Sequence, residues 1–321
     1  MPVFAFLWLL FSFLASESLP PQHSRFVVKT AQGDRECVLH APPAYDQSKP
    51  IPLVIMLHGF GGTALSALRE TGWSAKADQE TFIIAYPEAT RPDNSRPPNF
   101  RKNPQAWNDG SGRFHAAERK IDDVEFIDAL INQIGMKYKL DSQRIFITGF
   151  SNGASMTFRL GAELSQPIAA IAPVAGTCWM KEANPRHSFS LCYITGLADT
   201  LNPIEGGYPK LALGGKEQGG QAKPAVLTFI DRWGKALNCP GQPQVDETAK
   251  GVRKRVYGPG RQGAEIMFIT VEGLGHNWAG GVGQAPSILV GKSSDKLHAT
   301  DTVWDFFRSH PAPVEQTNRN K

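Results

Sequence analysis

The sequence predicts an α/β protein built on an open, mostly parallel, doubly wound sheet, and three observations predict it. Residues 52–58 and 81–86 are continuously apolar runs of strand length, the pattern of parallel strands covered on both faces. Helical stripes alternate with such runs: Ile127, Leu130, Ile131, Ile134 and Tyr138 share one face, as do Val226, Phe229, Ile230, Trp233 and Leu237. Between the β-branched run 144–148 and the helix-forming run 154–164, only Gly149-Phe150-Ser151-Asn152-Gly153 intervenes.

In chain order, residues 26–30 and 36–40 read as two edge strands joined by a turn at Gln32-Gly33-Asp34. The two apolar strands follow. The helix over 122–138 carries Asp122, Asp123 and Glu125 in its first turn, where negative charge suits the helix dipole. Runs 168–174, 189–195 and 264–271 are strand-like, and the last helix spans 299–309 with Val303, Trp304, Phe306 and Phe307 facing inward. No internal repeat is visible. Two irregular insertions, 91–118 and 204–223, leave the C-terminal edge of the sheet, where an open α/β fold places its site. They are read as the walls of a cleft, with ordinary surface loops as the alternative.

At 321 residues, 41% hydrophobic and 20% charged, the chain can bury one large core, and a single catalytic domain is expected over 19–311. Net charge is +4 and the basic residues are scattered, which excludes a nucleic-acid footprint. Residues 3–15 are continuously apolar and are then broken by Ser16-Glu17-Ser18-Leu19-Pro20-Pro21. That core has the length of a signal-peptide h-region and is short for a bilayer span, although no Lys or Arg precedes it. The reading is a signal peptide over 1–18, cleaved after Ser18, and an exported protein, extracellular or periplasmic, with no stable membrane anchor after cleavage. An uncleaved anchor is the alternative. Residues 312–321 form a polar tail. Cys37, Cys178, Cys192 and Cys239 permit one or two disulfides, with three connectivities if all four pair, while Cys192, inside an apolar run, also suits a buried core position. No C-x-x-C spacing points to zinc or thiol redox chemistry.

Gly149-x-Ser151-x-Gly153 between strand and helix is the nucleophile-elbow pattern of α/β-hydrolases. A serine hydroxyl is a weak nucleophile and needs a base, and the base needs a third group to orient it. The fold orders these as serine, acid, histidine. Asp199 follows the run 191–195 in Gly196-Leu197-Ala198-Asp199 and is the expected acid. His276, His298 and His310 follow Asp199; His276, in a glycine-rich loop after the last strand, is the expected base, because the other two mark the ends of a helix. The oxyanion hole needs two backbone N–H groups. Asn152 supplies one, and Phe60 in His58-Gly59-Phe60-Gly61-Gly62 the other, leaving His58 a structural role. No metal or organic cofactor is required.

These residues together resemble the polyhydroxybutyrate depolymerase / feruloyl esterase group of secreted α/β-hydrolases, over about residues 26–310. The resemblance rests on residues 58–62, on Asp122-Asp123-Val124-Glu125-Phe126, on Gly149–Gly153 with Ala154-Ser155-Met156, on Gly196–Asp199 with Pro203 and Gly206-Gly207, and on Gly275-His276-Asn277-Trp278 with Gly280-Gly281. It implies a triad of Ser151, Asp199 and His276. It also implies that Thr195-Gly196 stands where the group often has His-Gly, and that Cys239 lacks the later cysteine it often pairs with. The expected substrates are small-molecule or oligomeric esters: short-acyl, hydroxyalkanoate-oligomer or feruloyl/aryl. Trp107, Phe150 and Trp278 are candidate substrate-binding residues, with core aromatics as the alternative. Two other functions compete, a serine peptidase of the same fold and an inactive binding protein on a hydrolase scaffold.

Overall fold

The computed structural model describes residues 19–164, 168–210, 221–283 and 285–313. The expected signal peptide, most of the polar tail and half of the second insertion lie outside the described residues. Ten strands are described: β1 (His23–Thr30), β2 (Gly33–His40), β3 (Ile51–Leu57), β4 (Ile83–Pro87), β5 (Leu140–Phe150), β6 (Ala170–Val174), β7 (Ser190–Gly196), β8 (Val245–Ala249), β9 (Val252–Tyr257) and β10 (Ile266–Val271). The helices are α1 (Ala64–Thr71), α2 (Trp73–Glu80), α3 (His115–Glu118), α4 (Asp123–Lys137), α5 (Asn152–Glu163), α6 (Val226–Ala236), α7 (Ser287–Val290) and α8 (Ala299–Ser309).

All ten strands join one open sheet in the order β1-β2-β4-β3-β5-β6-β7-β10-β9-β8. The middle of it, from β4 to β10, is parallel, and antiparallel pairs finish each side. The apolar runs account for this. β3, β4, β6 and β7 are buried along their whole length, so both faces need covering. One face packs against α4, α5 and α6 through residues such as Phe126, Phe158 and Trp233; the other packs against α1, α2 and α8 through Trp73, Trp304 and Phe307. Among the described residues no helix is long and apolar enough to cross a membrane.

The structure corrects two expectations and adds one element. β2 is not an edge strand, since it pairs β1 on one side and β4 on the other. The far edge is the hairpin β8–β9, which the sequence reading passed over because β8 is exposed throughout and carries no apolar alternation. All four cysteines are free thiols. Cys37 on β2 and Cys192 on β7 are separated by five strand spacings, roughly 24 Å, far beyond the reach of a disulfide.

Candidate active site

The serine is presented by a tight strand-to-helix turn. Ser151 has φ 54° and ψ −114°, a conformation that L-residues avoid, between the last residue of β5 and the first of α5. Its flanking glycines make the turn feasible. A Cβ on Gly149 would meet the Gly153 carbonyl oxygen at 2.5 Å, and one on Gly153 would strike the Leu57 and His58 carbonyls at the end of β3. The Ser151 amide bonds the Val174 carbonyl at 3.0 Å, which ties the turn to β6.

Asp199 and His276 arrive from neighbouring parallel strands. β7 ends at Gly196 and β10 at Val271, and the two following loops are bonded to each other: Leu197 N–H to Val271 O at 2.9 Å and Ala198 N–H to Leu274 O at 3.0 Å. The His276 amide is further held by the Val290 carbonyl of α7 at 2.6 Å. The side chains then form one line. His276 Nδ1 lies 2.8 Å from Asp199 Oδ2, and His276 Nε2 lies 2.8 Å from Ser151 Oγ. An ionised carboxylate only accepts, so Nδ1 carries the proton and Nε2 is left to accept from the serine hydroxyl. The other oxygen of Asp199 accepts from the Leu201 and Asn202 amides at 2.9 and 2.7 Å, which fixes the carboxylate in its buried loop.

The loop after β3 approaches from the other side. A Cβ on Gly59 would lie 3.4 Å from Ser151 Cβ. The Gly59 carbonyl accepts from His58 Nδ1 at 2.8 Å and from the Gly62 amide at 3.0 Å. Because a trans peptide points its N–H opposite its C=O, the Phe60 N–H faces away from His58. Neither the Phe60 nor the Asn152 N–H has an acceptor among the described residues. His58 Nε2 accepts from the Ala89 amide at 3.1 Å, and burial pushes the ring's pKa down to about 4. It is a neutral, fully bonded histidine. His298 stands at the N-cap position of α8 without a side-chain cap bond, His310 pairs with Glu265 at 3.0 Å, and the histidine bonded to Ser151 is His276.

Of the three aromatic candidates for substrate contact, one borders the cleft. The Phe150 ring lies 5.0 Å from that of His276. Trp107 is fully buried; its indole N–H bonds the His58 carbonyl at 2.9 Å and its amide bonds Asn152 Oδ1 at 2.8 Å, so it braces both loops from behind. Trp278 is buried too, donating to Thr300 Oγ1 at 3.0 Å. Both burials agree with the alternative reading of these two residues as core aromatics. From the first insertion, Phe114 stacks on Phe60 at 4.7 Å and Phe100 meets Phe60 edge-on at 6.0 Å. Sequence reasoning missed these two, and nothing in an unpatterned loop distinguishes them. It also missed Asp109, a buried carboxylate that accepts from Asn152 Nδ2 at 2.8 Å.

Beside the Asp199 loop, a depression of about 490 Å³ is lined by Leu197, Thr200, Ile204 and Tyr208 among others, so the start of the second insertion borders the site. A depression of about 580 Å³ over the start of α4 contains none of the candidate side chains.

Residues 44–201 match the phospholipase/carboxylesterase family model. The chain is 28% identical to the "putative esterase NocK" of Nocardia uniformis subsp. tsuyamanensis, over 92% of this chain and 88% of the relative. This is an esterase of the α/β-hydrolase fold. The esterase is also similar to feruloyl esterase B of Piromyces equi (27% identical, 75% of this chain, 42% of the relative) and to poly(3-hydroxyalkanoate) depolymerase C of Paucimonas lemoignei (24%, 77% and 59%). It therefore spans about half the length of those two, and the resemblance read from its motifs holds. Among solved structures it is similar to the acetyl xylan esterase from Aspergillus awamori, with a TM-score of 0.55 at 14% identity, covering 79% of this chain and 94% of that one. That likeness concerns the fold alone.

Proposed function

We propose that the esterase is an exported serine carboxylic-ester hydrolase in which Ser151, His276 and Asp199 act as a triad. The observation that carries this reading is the hydrogen-bonded line from Ser151 Oγ through both ring nitrogens of His276 to Asp199. His276 Nε2 takes the hydroxyl proton as Ser151 Oγ attacks the ester carbonyl carbon, and Asp199 stabilises the imidazolium that forms. The Phe60 and Asn152 amides hold the oxyanion of the tetrahedral intermediate, helped by the N-terminal end of α5. The intermediate collapses to an acyl-serine as His276 returns the proton to the departing alcohol. Water, deprotonated by His276, then attacks the acyl carbon and regenerates Ser151.

Short-acyl, hydroxyalkanoate-oligomer and feruloyl or aryl esters are the proposed substrate classes. Phe60, Phe100, Phe114 and Phe150 favour a flat or apolar acyl group, and the names of the relatives point to the same esters. The apolar run at residues 3–15 supports export. No nucleic-acid partner and no cofactor enter this scheme.

The test is turnover of 4-nitrophenyl acetate and butyrate by wild type and Ser151→Ala. Loss of about 10⁴-fold or more in kcat is expected. Undiminished turnover in the variant would sink the triad, and turnover of a matched anilide as fast as the ester would favour a peptidase.

A further inference from the structure

The wall of the cleft facing Asn152 and Asp199 carries hydrogen-bond donors that the proposed chemistry does not use. The Arg113 guanidinium lies over two aromatic rings, 4.9 Å from the Phe114 centroid and 4.5 Å from that of Trp179. Among the described residues its carboxylate contact is Asp109 at 3.3 Å, and Asp109 also accepts from Asn152 and from the Ser111 amide and hydroxyl. The Lys223 ammonium bonds a neutral acceptor, Asn202 Oδ1, at 3.2 Å. Each cation is thus two hydrogen bonds from a residue of the proposed machinery. Arg113 connects through Asp109 to Asn152, and Lys223 through Asn202 to Asp199.

The wall is rich in donors and poor in acceptors. Among the described residues Arg113 Nε and Trp179 Nε1 are buried with no partner, and the Lys223 ammonium bonds Asn202 Oδ1 with one of its three protons. Thr200 Oγ1, in the Asp199 loop, is buried without a partner as well. Native folds leave few such atoms, and donors that remain open beside a reaction centre are best satisfied by an acceptor brought in by a ligand. Arg113 keeps 27% of its side-chain surface exposed, so it is reachable. A planar guanidinium and an ammonium together suit a carboxylate, which accepts several charge-assisted hydrogen bonds at once.

We propose that Arg113, Lys223 and the Trp179 indole N–H form a carboxylate-binding subsite beside Ser151, so that the best-matched ester carries a free carboxylate at one end. This rests on the esterase reading of Ser151 and deepens it. The free acid end of a hydroxyalkanoate oligomer has this chemistry on its alcohol side, and a dicarboxylic monoester has it on its acyl side.

Two substrate pairs separate these cases. The 3-hydroxybutyrate dimer acid is compared with its primary amide, and the 4-nitrophenyl monoester of adipic acid with 4-nitrophenyl hexanoate. In one pair the charged member should be preferred by about tenfold or more in kcat/KM, chiefly through KM. Lys223→Met and Arg113→Gln should each lower that preference several-fold, and Lys223→Arg should retain most of it. The wild type alone gives a second readout that needs no variant. Burial and the Arg113 charge pull Lys223 down to about 8, against the opposing pull of Asp199 and Asp109, so the preference should weaken as pH rises through 8. It should also weaken in high salt. Equal kcat/KM within both pairs, or a preference untouched by both charge-removing variants, overturns the subsite while turnover of the neutral esters leaves the esterase reading standing. Absence of turnover for every ester overturns both.

Discussion

His58 and His276 sit in the two loops that meet at Ser151, and both are buried, yet their rings bond different kinds of group. His276 has a carboxylate on Nδ1 and a hydroxyl on Nε2, whereas His58 has the Gly59 carbonyl on Nδ1 and the Ala89 amide on Nε2. A carboxylate can stabilise an imidazolium formed during reaction; a backbone carbonyl and amide hold a neutral ring in one tautomer. The first arrangement suits proton transfer, and the second suits holding a loop. In the proposed mechanism one histidine does chemistry and the other shapes the peptide that receives the oxyanion.

The largest expected effect tests the carboxylate side of that contrast. Asp199→Asn keeps an oxygen to accept from the Leu201 and Asn202 amides but permits the wrong His276 tautomer. Turnover of 4-nitrophenyl butyrate should fall by about 10³–10⁴-fold with the fold intact by circular dichroism. A loss under about tenfold would break the comparison.

The next effect concerns stability and pH. Burial holds His58 down to about 4, so between about 4 and 6.5 the unfolded chain takes up a proton that the native ring refuses. Stability therefore rises with pH across that window, by up to roughly 3 kcal/mol. Glu88, 3.7 Å from His58, opposes this. Burial pushes its carboxyl up to about 7, so the native state keeps a proton that the unfolded state loses, and stability falls as pH rises from about 4.5 to 7. Glu88→Gln removes the second slope, and its urea midpoint should climb more steeply from pH 4 to 6.5 than that of wild type. Identical slopes would contradict the buried, protonated state assigned to Glu88, and a midpoint in Glu88→Gln that does not rise from pH 4 to 6.5 would contradict the buried-neutral assignment of His58.

The smallest effect separates packing from contact with substrate. Trp278→Phe loses the bond to Thr300 and should cost about 1 kcal/mol of stability, while leaving KM for 4-nitrophenyl butyrate within about twofold. A several-fold rise in KM would return Trp278 to the cleft.

Much of the fold and of the site's core was legible because each part has a local signature. Strands buried on both faces read as unbroken apolar runs, and helices such as α8 read as stripes, which is why its bounds of Ala299–Ser309 match expectation. The elbow is legible because only glycine fits against the Leu57 and His58 carbonyls. Asp199 and His276 could be ordered along the chain because parallel strands deliver their loops to one edge. The parts that were not legible share the opposite property. Trp107 and Trp278 have the side chains of a ligand wall, and burial depends on what the tertiary fold lays over them. Phe100, Phe114, Arg113 and Lys223 sit in loops without periodicity, and Asp109 looks like any turn aspartate until Asn152 is brought beside it. The β8–β9 hairpin has no buried face, so it has no pattern to read.

Covalent trapping tests the central claim most directly. The protein is treated with a 4-nitrophenyl alkylphosphonate and then analysed by intact mass and peptide mapping. The account predicts one adduct per chain, on Ser151, and loss of ester turnover in step with labelling. A fully inhibited enzyme labelled at another residue, or a labelled Ser151 with turnover intact, would contradict it.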